Sequence, residues 1–114
     1  MIHTKKVNDV TVVTFDGISH FDSRNAYRIK AELKGMINER ESLIVMNLNG
    51  VDFIDSAGFG TIISGLKSSK RYGGNLKLCN ASSNVMDLID LMHLGSVLEI
   101  HTDENKCVSS FSGN

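Results

Sequence analysis

The chain has 114 residues, 41% of them hydrophobic, with 12 Lys+Arg against 13 Asp+Glu and a formal net charge of −1. That length supports one domain burying about two thirds of its unfolded surface, and the interspersed charges give no basic footprint for nucleic acid or anionic lipid. Cys79 and Cys107 fit neither a disulfide framework nor a CxxC or zinc pattern, so they read as ordinary thiols of a reducing compartment.

Residues 1 to 6 lead into alternation and not into an apolar signal core, and no later run approaches the ~18 apolar residues of a membrane span. A cytoplasmic location, with no membrane partner, is therefore the default expectation. Val10 to Phe15 largely alternate and are rich in β-branched residues, and Asn8-Asp9 before them can turn the chain back on a short first strand. This predicts an N-terminal antiparallel hairpin. Asp22-Ser23 offers a cap, after which Ala26, Ile29, Leu33, Met36 and Ile37 share one helical face, predicting a helix over about residues 23 to 40. Leu43 to Leu48 is nearly continuous in its apolar character, unlike the alternating second strand, which implies cover on both of its faces.

A second helix begins near Ser56, with Phe59, Ile62, Ile63 and Leu66 at helical spacing. Tyr72-Gly73-Gly74 breaks it, and Leu76 to Cys79 reads as a strand. Ser82-Ser83 can cap a third helix that points Val85, Leu88, Ile89 and Met92 inward, with Gly95 at its C-terminal end. Val97 to Ile100 is a last strand. A Thr102-Asp103 cap then starts a short helix carrying Cys107, Val108 and Phe111, and the tail from Ser112 is expected to fray. The pattern is that of a single α/β domain over residues 1–114, with a mixed, largely parallel sheet, an antiparallel hairpin at its edge and about four helices.

Ser56 lies where a buried strand gives way to a helix, so its hydroxyl is first of all a helix cap. Asp55 directly before it can take that role instead, leaving the hydroxyl free. Gly58 and Gly60 cost ~1 kcal/mol each against alanine, yet both sit in the first turns. On the helical wheel Gly58, Thr61, Gly65 and Ser68 form a face of small side chains beside the apolar one. That face either packs inside the domain or, the favoured reading, is a docking surface for a partner. A catalytic serine is the competing idea. The nucleophile elbow G-x-S-x-G is not met, because Ile54 holds its first glycine position. His3, His20, His93 and His101 are dispersed and have no metal-ligand spacing, so neither a metal nor a cofactor is expected.

Phe53-Ile54-Asp55-Ser56-Ala57-Gly58-Phe59-Gly60 resembles the D-S-[STA]-G-[LF]-G segment of STAS domains, specifically of bacterial anti-sigma factor antagonists. The likeness extends over Gly17, the long first helix, Leu43 to Leu48, Tyr72-Gly73-Gly74 and Leu91 to Leu94. It implies a STAS-like fold and phosphorylation of the serine after the aspartate, here Ser56. It also implies a partner switch. The unphosphorylated form would bind an anti-sigma factor with GHKL-type serine kinase activity and free a sigma factor; phosphorylation would block binding, and a PP2C-type phosphatase would restore it. Partner contacts are expected from Asp55, Ser56, Ala57, Gly58, Phe59, Thr61 and Gly65, with His20 and Asp22 from the preceding loop. Ala57 leaves Ser56 as the single acceptor of the motif. Where relatives carry an acidic residue after the glycine and an aspartate further on, this chain has Ile18 and His20, with Asp22 two residues later. The alternative is a STAS subunit that only scaffolds a transporter or signalling complex, or a regulator served by another kinase.

Overall fold

A computed structural model describes residues 2–112. The strands are β1 (Ile2–Val7), β2 (Val10–Phe15), β3 (His20–Phe21), β4 (Leu43–Asn47), β5 (Phe53–Ile54), β6 (Asn75–Cys79) and β7 (Glu99–His101). The helices are α1 (Ala26–Met36), α2 (Ser56–Arg71), α3 (Ser83–Leu91) and α4 (Glu104–Ser109), and a 3-10 turn follows at Ser110–Ser112. Five strands form one sheet in the order β1-β2-β4-β6-β7, antiparallel at β1-β2 and parallel elsewhere. The expected α/β domain with an edge hairpin and four helices is thus the observed one.

Alternation along the strands divides the core in two. Val13, Phe15, Ile44, Met46, Leu76 and Leu78 face α1, α2 and α3, while Val10, Val12, Val45 and Cys79 face Cys107 and Val108 of α4. β4 is covered on both faces, as its continuous apolar run implies. So is β2, which the alternating reading left half open. It lies inside the sheet between β1 and β4, and α4 covers the face that carries Val10 and Val12.

Several boundaries differ from expectation. α1 begins at Ala26 because residues 22 to 25 close a turn, in which the Asp22 carbonyl accepts from the amides of Asn25 and Ala26. It ends at Met36, and Ile37 continues into the core in an extended conformation. α3 stops at Leu91, with His93 in the left-handed position at φ 57° and the Leu94 amide donating to the Ile89 carbonyl at 2.9 Å. Gly95 lies beyond that cap and does not form it. The last strand is shifted to Glu99–His101, and Ser112 belongs to the 3-10 turn. Gly113 and Asn114 of the expected frayed tail lie outside the described residues.

Candidate functional site

A two-stranded parallel sheet, missed by sequence reasoning, positions the site. β3 and β5 pair His20 with Phe53 and Phe21 with Ile54, which brings the loop before α1 against the start of α2. The Asp52 amide donates to the Ser19 carbonyl at 2.7 Å and the Asp55 amide to the Phe21 carbonyl at 3.2 Å. Such short strands carry no periodicity to read, so nothing in the sequence marked them.

Asp55 is the N-cap of α2. Its Oδ1 accepts from the Gly58 amide at 3.0 Å, and its Oδ2 accepts from the Ser23 amide at 3.2 Å across the loop. One carboxylate therefore satisfies an orphan donor of the helix and pins the neighbouring loop. Ser56 follows as the first helical residue, exposed. With the cap supplied by Asp55, its hydroxyl is not consumed by the helix start.

Gly58, Thr61 and Gly65 of the small face of α2 are turned inward, which corrects their reading as a docking surface, while Ser68 is half-buried and lines a surface groove. Gly58 is buried, and a Cβ there would stand 2.3 Å from the Phe21 carbonyl oxygen and 2.7 Å from Ile54 Cγ2. Thr61 is 3% exposed, and its Oγ1 donates to the Ala26 carbonyl at 3.2 Å. Gly65 faces Leu76 and Leu33. Gly58 lets α2 approach the backbone of β3, while Thr61 and Gly65 seat α2 against α1 and β6. Phe59 is likewise core, at 1% exposed, and Ala57 is half-buried. Of the expected partner contacts on α2, Ser56 remains openly presented.

His20 is exposed, with its ring centroid 5.8 Å from that of Phe53 and its Nδ1 3.0 Å from Ser19 Oγ. The Asp22 carboxylate is engaged with Arg24, whose NH2 nitrogen donates to Oδ2 at 2.7 Å and whose amide donates to Oδ1 at 3.0 Å. Those bonds hold the Asp22 carboxyl below the usual carboxylate range. Asp22 is therefore committed to its own turn. Two further histidines are bonded to carboxylates outside the motif: His3 lies 3.3 Å from Asp16, and His101 lies 2.6 Å from Glu99.

Two surface depressions flank the motif. One, of about 390 Å³, is bounded by His20, Asp52, Phe53, Asp87, Leu88 and Leu91, and it exposes Phe53 at 39% and Leu91 at 75%. The other, of about 590 Å³, runs along α2 from Ser56 to Arg71. Lys30 and Lys34 of α1 and Lys67 and Arg71 of α2 line it. Sequence reasoning passed over these cations, although each pair has the four-residue spacing of one helical face. That the two pairs look into one groove depends on how α1 packs on α2.

The family model for the STAS domain matches residues 1–107. The chain is 23% identical over 106 residues to a Bordetella bronchiseptica protein provisionally named anti-sigma factor antagonist BtrV, covering 93% of this chain and 90% of that one. It is 26% identical over 96 residues to an anti-sigma F factor antagonist of Paenibacillus polymyxa, covering 83% and 80%. Among solved structures it resembles the anti-sigma factor antagonist SpoIIAA. In the unphosphorylated form the TM-score is 0.81 at 20% identity, covering 100% of this chain and 98% of that one. In the phosphorylated form of the Bacillus protein the TM-score is 0.71 at 19% identity, covering 96% and 98%.

Proposed function

The chain belongs to the STAS domain family, and we propose that within it the protein is an anti-sigma factor antagonist working as a phosphorylation-controlled partner switch. The unphosphorylated protein binds an anti-sigma factor that is also a GHKL-type serine kinase, and so releases a sigma factor. Phosphorylation of Ser56 ends that binding, and a PP2C-type phosphatase restores it. The observation that carries this reading is the free hydroxyl of Ser56, exposed at the first turn of α2 because Asp55 does the capping. Two similar relatives bear the name of anti-sigma factor antagonist, and the structural neighbour SpoIIAA is described in phosphorylated and unphosphorylated forms.

The physical effect of the phosphate belongs to the interface and not to the fold. A phosphate adds a charge of about −2. The N-terminus of α2 favours it by ~0.3 to 1 kcal/mol, while the carboxylates of Asp52 and Asp55 oppose it by a similar solvated repulsion. Under a bound partner that presents no cation to it, the same dianion would be desolvated at a cost of several kcal/mol and so more than ~100-fold in affinity.

The test is to incubate the protein with ATP and the GHKL-type kinase of its own genome, map phosphate by mass spectrometry, and measure binding to that kinase. Phosphate is expected on Ser56 alone. Ser56→Ala should bind like the unmodified protein and Ser56→Asp about tenfold or more weakly. Phosphate elsewhere, or equal binding by the two variants, would sink the switch.

A further inference from the structure

We propose, building on the partner-switch reading, that the groove along α2 docks an acidic amphipathic segment of the partner protein. Ser56, Gly60, Ile63, Lys67 and Arg71 follow one another three or four residues apart and so form one stripe of the helix. The stripe is about 22 Å long, the length of a partner helix and not of a small anion. Lys30 and Lys34 of α1 stand beside it. Among the described residues, no Asp or Glu lines the groove and none of its four cations is in an ion pair.

That concentration is unbalanced for this chain. Four of its 12 Lys+Arg face one groove in a protein whose net charge is −1. The lining also includes Ile63, Met92 and Leu94, of which Met92 is 40% exposed. Cations beside an apolar strip match a helix that carries carboxylates on its flanks and apolar anchors three and four residues apart. A free phosphate would use the charges and leave the apolar strip uncovered. A nucleic acid would be expected to use stacking aromatics, and Phe59, the aromatic residue that lines the groove among the described residues, is buried.

Ser56 closes one end of this groove. A phosphate there has the sign of the occupant's carboxylates, so modification repels the docked segment as well as blocking its end. Salt should weaken the repulsion and leave the steric block in place, because only the repulsion is screened.

The test uses the full chain, isotope-labelled for NMR, and a synthetic 15-residue helical peptide with leucines along one face and glutamates flanking them. Amide shifts are expected at Gly60, Ser64 and Lys67. Lys67→Glu combined with Arg71→Glu should weaken binding about tenfold or more, and Lys30→Glu with Lys34→Glu should do the same from the other wall. Absence of those shifts overturns the proposal. So does equal binding by the peptide with glutamine in place of glutamate, or tighter occupation of the groove by ATP. The switch is tested separately with the kinase. If the Ser56 variants differ in kinase binding while both pairs of charge reversals bind like wild type, the groove assignment falls and the switch stands. If the Ser56 variants bind alike while the acidic peptide still seats in the groove, the switch falls and the groove stands.

Discussion

Asp55 ties two backbone segments with its two oxygens, one at the Gly58 amide and one at the Ser23 amide. Asp55→Ala should therefore cost about 1 to 2 kcal/mol in urea denaturation. Ser56→Ala next to it should stay within about 0.5 kcal/mol, since no helix bond depends on that hydroxyl. Comparable losses for the two would remove the division of labour between cap and acceptor. The glycines of the motif separate in the same way. Gly58→Ala drives a Cβ to 2.3 Å from the Phe21 carbonyl oxygen and should destabilise by about 2 kcal/mol or more. Gly60→Ala meets nothing within 4 Å and should be neutral or stabilising by up to about 1 kcal/mol. Thermal melts of the two variants moving in the same direction would contradict this. In the sequence the two glycines look alike, because what distinguishes them is the Phe21 backbone, 37 residues away.

The seam of α2 with α1 and β6 is held by small residues and one hydroxyl bond, and its tolerance should be correspondingly narrow. Gly65→Leu would press against Leu76 Cδ1, which lies 3.0 Å from the position of a Cβ. A loss of about 2 kcal/mol or more is expected, whereas the exposed Lys67 two residues on should accept Ser within about 0.5 kcal/mol. A denaturation midpoint for Gly65→Leu equal to that of wild type would show that the seam is looser than its geometry. Periodicity identified α2 and its apolar face, of which Phe59, Ile62 and Leu66 are buried and Ile63 is half-buried, because a 16-residue helix repeats its pattern several times. It could also group Gly58, Thr61 and Gly65 on one face, but a face of small residues suits an internal neighbour as well as a foreign one. Only the packing of α1 and of strands β3, β5 and β6 on α2 decides between them. The two-residue strands β3 and β5 escaped for the opposite reason, being too short to repeat anything.

The domain as assembled fastens its second core with ion pairs on the α4 side of the sheet. Glu104 accepts from the Asn47 side-chain amide at 3.0 Å and from Lys5 at 3.0 Å, and these bonds hold its carboxyl below the ordinary value of 4.5. Glu99 is lowered in the same direction, first by its bond to His101 and then by Lys77. A carboxyl lowered on folding binds its proton more readily in the unfolded chain. Its stabilisation is therefore present at neutral pH and is lost as pH falls below about 5 and through the lowered folded value. Urea midpoints should fall over that window, and less steeply for Glu99→Gln combined with Glu104→Gln; parallel declines would contradict the assignment. The sequence alone was enough for the α/β class, the edge hairpin, four helices and the placing of Ser56 at a helix start, because these follow from local periodicity and capping chemistry. The tertiary structure decided which side of α2 is free. It buried Gly58, Thr61 and Gly65 against β3, β5, β6 and α1, gave the cap to Asp55 and aligned Lys30 and Lys34 with Lys67 and Arg71. Those outcomes depend on contacts between segments far apart in the chain, which no local pattern encodes.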